Sequence, residues 1–128
     1  MVQQVTNGIK ISAKSTYNGI LQQNNQLYYS FNYYISIENE SQDTVKLTRR
    51  FWTIYDSLSN IDFVEGEGVV GQTPILRPKD QYTYRSNCFL SSTFGAMKGF
   101  YKMIDIHTQE EFLVAIPTFQ LTTTPSLN

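Results

Sequence analysis

Residues on which many active centres depend are scarce in this chain. One cysteine, Cys88, and one histidine, His107, occur among 128 residues. A lone cysteine excludes an internal disulfide, fits a reducing compartment and reads as a buried inert thiol. Without ligand-spaced neighbours, neither residue supplies the His and Cys clusters that transition metals take, so no metal site and no cofactor are expected. Ser91, Ser92 and Cys88 share a segment, but His107 is the one imidazole available to activate a nucleophile, and no catalytic residue is assigned. A net charge of -1 denies the chain the basic field that collects phosphate backbones, so general nucleic-acid binding is not expected. No apolar run approaches the roughly 20 residues of a membrane span, and Met1 to Thr6 lack the basic start and apolar core of a signal peptide. These absences point to a cytoplasmic protein without a membrane segment. Apolar residues at i, i+3, i+4 and i+7 are missing over any long stretch, which removes the case for helices.

What is present favours strands. Nine tyrosines and eight phenylalanines, with Val, Ile and Thr in short segments, suit pleated and half-buried surfaces. Val5, Ile9, Ile11 and Ala13 read as a first strand, with Asn7-Gly8 as a turn or bulge within it. Residues 19–26 are polar and read as a loop. Leu27, Tyr29, Phe31, Tyr33, Ile35 and Ile37 then alternate cleanly against Tyr28, Ser30, Asn32, Tyr34, Ser36 and Glu38. In the following strand the apolar face starts at Val45 and Leu47 but moves to Trp52 and Ile54. A period-2 element changes parity only by gaining a residue, which predicts a β-bulge between Thr48 and Phe51, at Arg49-Arg50.

Ile61, Phe63 and Val64 open another strand, Tyr82 and Tyr84 a further one, and residues 86–95 read as irregular. Met97, Gly99, Tyr101 and Met103 alternate with Phe100, Lys102 and Ile104, both faces partly apolar as in an inner strand. Phe112, Val114 and Ile116 close the pattern, with Phe119 and Leu121 as an extension. Seven to eight short strands in one domain spanning 1–128 suggest an all-β antiparallel sandwich of the immunoglobulin or fibronectin type III kind, a closed barrel being the alternative. The core is expected over about 3–121, with a mobile tail at 122–128.

Glu65-Gly66-Glu67-Gly68-Val69-Val70-Gly71 concentrates three of the seven glycines in a Gly-x-Gly-x-x-Gly spacing that invites a phosphate-binding reading. A dinucleotide loop needs a helix starting at the loop, whereas here Gln72-Thr73-Pro74 follows. Glu65 and Glu67 would repel phosphate unless bridged by a cation. Glycines serving a bulge or a close strand approach are the favoured reading. A nucleotide, pyrophosphate or hydrated magnesium ion at Glu65, Gly66, Glu67, Gly68 and Gly71 is the alternative, since magnesium accepts one or two carboxylates plus waters. Arg49, Arg50, Tyr28 and Tyr34 are of types enriched at protein interfaces and form the candidate partner surface. Self-association through an edge or the tyrosine-rich face is a further expectation.

Several ordered motifs resemble one family. They are Arg49-Arg50-Phe51-Trp52-Thr53-Ile54-Tyr55-Asp56, residues 65–74 with Leu76-Arg77-Pro78, Tyr84-Arg85-Ser86, residues 95–103, and Ile116-Pro117-Thr118-Phe119-Gln120-Leu121. Together they resemble the bacterial ApaG family over nearly the whole chain. The resemblance implies a fibronectin type III-like sandwich, an association with cobalt resistance and magnesium efflux, and relatives that serve as interaction domains in F-box proteins and a polymerase delta-interacting protein. The expectation is a non-enzymatic module that binds a protein partner. The chain departs from the usual pattern at Phe51, where histidine is common, at Lys79, where glycine commonly follows the proline, and at Asn87, where glycine is usual.

Overall fold

The computed structural model describes residues 1–58 and 60–124; of the tail expected at 122–128, Thr122 ends the last strand and residues 125–128 lie outside the described residues. Among those residues the chain forms strands and no helix. They are β1 (Val2–Thr6), β2 (Ile9–Gln23), β3 (Gln26–Asn39), β4 (Val45–Asp56), β5 (Ile61–Glu67), β6 (Ile75–Leu76), β7 (Gln81–Leu90), β8 (Phe94–Asp105) and β9 (Glu111–Thr122). One sheet has the order β1-β2-β3-β7; the other has the order β5-β4-β8-β9, with β6 also paired to β4. All pairings are antiparallel. The architecture is the expected sandwich rather than a barrel. The strand number exceeds seven or eight because Asn7-Gly8 separates β1 from β2 and the two-residue β6 forms beside β4.

Local chemistry explains the turns. Asn7 and Gly8 both have positive φ (50° and 77°), as do Asn24 and Asn25 (53° and 61°). Two-residue hairpins need this left-handed geometry to match the strand twist, and Asn and Gly reach it at least cost. The second hairpin corrects the loop expected at 19–26. β2 and β3 continue as paired strands to Gln23↔Gln26, with one bulge between Tyr17 and Ile20. Leu21 and Leu27 are exposed on this arm, so alternation no longer marks a buried face. The segment at 86–95 is also more regular than expected. β7 runs through Asn87 to Leu90, burying Cys88 and Leu90 alternately with exposed Phe89.

The parity change in β4 is present, one residue earlier than expected. Leu47 pairs with Met103 and Arg49 with Lys102, leaving Thr48 as the extra residue. Thr48 Oγ1 donates to the Lys102 carbonyl oxygen at 3.1 Å, which anchors the bulge. Beyond it Trp52 faces the core, where Ile11, Phe31, Ile35, Ile37, Leu47, Met97, Tyr101, Met103 and Leu121 are also buried. Fully burying side chains of this size stabilises the fold by about 1.5–3 kcal/mol each before entropy is counted.

The sandwich is asymmetric. Backbones of the two sheets approach mainly where β1 and β2 face β9. Side chains bond across that side: Ser15 Oγ donates to the Gln120 carbonyl at 2.6 Å, and the Ala115 N–H donates to Thr6 Oγ1 at 3.3 Å. On the opposite side β5 and β7 are the outermost strands of their sheets. There the sheets part around a cleft of about 290 Å³.

Candidate functional site

The glycine-rich stretch lies at this open side and begins within β5. Val70 and Gly71 have φ of 46° and 76°, forming a tight turn closed by reciprocal hydrogen bonds between Val69 and Gln72 (2.8 and 2.9 Å). Gly68 is required by geometry. Its φ is 63°, and a Cβ there would stand 2.1 Å from the Gln72 carbonyl oxygen. The Gly68 N–H donates to the Thr48 carbonyl at 2.8 Å. The amides of Gly68, Val69 and Gln72 are thus committed to the protein's own carbonyls, unlike amides of a phosphate cradle at a helix N-terminus. Glu65 and Glu67 are exposed on the strand leading into the turn.

Arg50 ties this stretch down from behind. Its Nη1 donates to the carbonyl oxygens of Glu67 (2.9 Å) and Gly68 (3.0 Å). A Cβ at Gly66 would meet the Arg50 guanidinium at 2.8 Å, so glycine makes room for the flat cation. Sequence patterning put Arg50 with Arg49 at a bulge on the partner surface. The bulge at Thr48 instead gives Arg50 the inward parity of Trp52, and it lines the cleft with Tyr33, Val64 and Val69. Trp52 is buried edge-on to Tyr33, ring centroids 5.3 Å apart, and among the described residues no atom accepts its indole N–H.

Behind the cleft, the Tyr84 and Tyr101 hydroxyls share a hydrogen bond across the sheets. Burial pushes both phenols above their ordinary range. Tyr33 is also raised by burial, partly offset by Ser86. Cys88 is pushed up to about 12, by burial and then by the nearby carboxylates of Asp62 and Asp56, so its thiolate is scarce at neutral pH. Ser91 and Ser92 serve the turn between β7 and β8. The Ser92 hydroxyl bonds Asp56, and the Ser91 N–H donates to Asp56 Oδ2 at 2.7 Å. His107 lies in the exposed turn after β8, its N–H on Asp105 Oδ1 at 2.9 Å. His107, the one imidazole, therefore lies in a different turn from Ser91 and Ser92 and away from Cys88 on β7. Among the described residues no group of three or more His, Cys, Asp or Glu is placed to hold a metal ion, and no helix is long and apolar enough to cross a membrane.

The four residues of the expected partner surface do not share a face. Tyr28 and Tyr34 are half-buried on β3 in the first sheet, with Lys14 Nζ 5.4 Å from the Tyr34 ring centroid. Arg49 lies on β4 in the other sheet. A different surface emerges around Arg49. Pairing sets Tyr55 beside Ile61 and Ala96, Thr53 beside Phe63 and Lys98, and Phe51 beside Glu65 and Phe100. Phe51 and Phe100 stack at 4.8 Å. Phe63 is 79% exposed, Ile61 53% and Phe100 38%, with Leu113 nearby on β9 at 51%. Sequence reading missed this surface because β4 and β8 are inner strands, where apolar residues on both faces are expected. The signal was Phe63, the outward neighbour of Glu65 on an edge strand.

A groove of about 860 Å³ runs along β2 and β9 and is bordered by Thr122, Thr123 and Thr124.

Comparison with known proteins gives a consistent result. A family model described as the ApaG domain matches residues 20–105. The chain is 44% identical over 93 residues to Protein ApaG of Caulobacter vibrioides, covering 73% of this chain and 66% of that protein. It is 36% identical over 121 residues to Protein ApaG of Brucella canis, covering 94% and 92%. A solved structure described as the putative ApaA protein from Bordetella pertussis superposes with a TM-score of 0.84 at 30% identity, covering 92% of this chain and 95% of that one.

Proposed function

The chain belongs to the ApaG domain family, and from that premise we propose that it is a non-enzymatic, cytoplasmic module that binds a protein partner through the outer face of its five-stranded sheet. The observation carrying this reading is the exposed apolar row of Ile61, Phe63, Phe100 and Leu113 around the stacked Phe51. A water-facing side of an antiparallel sheet ordinarily alternates to polar residues, and contiguous apolar patches rimmed by charge mark interaction sites. Glu65 and Glu67 border the row on β5, and Arg49, Lys98 and Lys102 stand between its members on β4 and β8. Aromatic anchors within a polar border are the anatomy of an interface hot spot. The association with cobalt resistance and magnesium efflux, which the family resemblance implies, enters this reading through the bound partner.

The alternative of nucleotide, pyrophosphate or hydrated magnesium at Glu65, Gly66, Glu67, Gly68 and Gly71 has less support. The two carboxylates are accessible, but three of the amides a phosphate needs are already bonded. Capture of partners from bacterial lysate by wild-type protein, Phe63→Ser and Tyr34→Ser tests the main reading. Loss of a captured protein with Phe63→Ser and its retention with Tyr34→Ser supports it; equal capture by all three overturns it.

A further inference from the structure

The outer row ends at β5, and β5 has a second property that the row alone does not explain. It pairs with β4 on one side, from Arg49↔Glu67 to Tyr55↔Ile61, and is the terminal strand of its sheet. A terminal strand presents unpaired N–H and C=O groups to any extended chain. Proteins usually blunt such edges with lysine, proline or a covering element. β5 reads Ile61-Asp62-Phe63-Val64-Glu65-Gly66-Glu67 and contains neither lysine nor proline. Its charged residues, Asp62, Glu65 and Glu67, all carry the same sign. Of the nearby cations, Arg49 stands across from Glu67 on β4, and Arg50 is turned inward to the Glu67 and Gly68 carbonyls. Neither lies on the free side of the strand.

We propose that β5 is a strand-addition site for an extended peptide segment of a partner protein in which basic residues alternate with apolar ones. The inference rests on the protein-binding reading above and names the partner's chemistry. Main-chain hydrogen bonds along β5 would supply affinity that is indifferent to sequence, while alternate side chains would supply selectivity. Outward side chains of the added strand fall beside Phe63, Glu65 and Glu67, where a lysine or arginine stem covers the ring and its charge meets the carboxylates. Inward ones follow the parity of Asp62 and Val64 toward the cleft between the sheets, which is lined by apolar groups such as Ile54, Val64 and Met97 and by the polar Arg50, Ser86 and Asn87. An apolar side chain suits the first of these. The charge of the strand also weighs against a second copy of the chain, because joining β5 to β5 would gather the carboxylates of Asp62, Glu65 and Glu67 from both copies into one ribbon with no cation on either strand.

The test uses the whole protein and an acetylated, amidated heptapeptide alternating lysine and valine, followed by the backbone amide resonances of Ile61 to Glu67. Saturable shifts centred on β5 are expected. They should weaken roughly tenfold when alternate peptide nitrogens are methylated, which removes the edge hydrogen bonds without altering the protein. The Glu65→Lys, Glu67→Lys double variant should reverse the preference toward a peptide alternating glutamate and valine. Equal binding of the methylated peptide, or shifts centred on β7 instead, overturns strand addition. Concentration-dependent shifts of the same amides without peptide place a second copy on the edge and also overturn it. If Phe63→Ser abolishes partner capture while the peptide leaves β5 unmoved, the binding face stands and strand addition falls. Peptide binding with the stated backbone and charge dependence, alongside capture insensitive to Phe63→Ser, supports the strand site and refutes the face.

Discussion

The two long sides of this sandwich solve the same packing problem differently. Where β1 and β2 meet β9, the sheets approach closely and hydroxyls of Thr6 and Ser15 engage backbone groups of the facing sheet. Where β5 and β7 lie, the sheets part over a cleft, and the nearby cross-sheet bond is between two tyrosine hydroxyls. One side is consolidated by backbone proximity; the other keeps an exposed edge and a tight turn whose geometry is fixed from within by Arg50. The difference suggests that stability resides mainly on the first side and recognition on the second.

The most direct way to break this comparison is to truncate one apolar side chain on each side. Leu121→Ala, at a fully buried position of β9, should cost about 3 kcal/mol. Val64→Ala, on the exposed edge strand, should cost about 0.5 kcal/mol or less. Urea unfolding followed by Trp52 fluorescence measures both, and equal losses would erase the distinction.

A smaller effect is expected where the open side is bridged. Tyr84→Phe leaves the buried Tyr101 hydroxyl without its partner and should cost about 1–2 kcal/mol. Both phenols are raised above the ordinary 10.0 by burial, so the folded state favours their neutral forms. Their contribution is complete below pH 10 and is lost as pH rises above it toward the folded values. Stability measured across pH 9 to 12 (about the range in which free phenols ionise) should fall less steeply in Tyr84→Phe than in the wild type.

The smallest change should be a gain. Val70 holds a positive φ of 46°, a conformation costly for a β-branched residue. Val70→Gly should raise stability by about 0.5–1 kcal/mol, because it relieves strain at an exposed position, less glycine's entropic cost. Thermal melting reads the shift, and a loss would mean that the Val70 side chain packs against the cleft more than its exposure indicates.

Much of the fold was legible because a buried face enforces period-2 alternation. Residues 27–37 and the change of parity between Leu47 and Trp52 both followed from that rule. The bulge itself was misplaced by one residue because Thr48, Arg49 and Arg50 are all polar and leave no apolar marker. Residues 19–26 looked like a loop because the β2–β3 arm extends past the core, where neither face is selected for burial. β7 was shortened for the related reason that exposed Phe89 interrupts the contrast with Cys88 and Leu90. At the site, the close approaches at Gly66 and Gly68 fit the reading drawn from the missing helix and Pro74. That Arg50 points inward was not readable, since one inserted residue decides which face it occupies. Lys79 was noted where glycine commonly stands in the family, and the structure gives it a φ of 74°, the conformation that glycine adopts most easily.

The sheet orders carry a consequence for time. β3 pairs with β7 and β4 with β8, so each sheet joins strands from opposite halves of the chain. The β2–β3 hairpin, with its two-asparagine turn, is local enough to form in about 1–10 μs. Completing either sheet must wait for distant segments to meet, which places folding of such a sandwich in the range of about milliseconds to seconds. On the ribosome, β3 emerges well before β7, leaving one of its edges in need of shelter during synthesis.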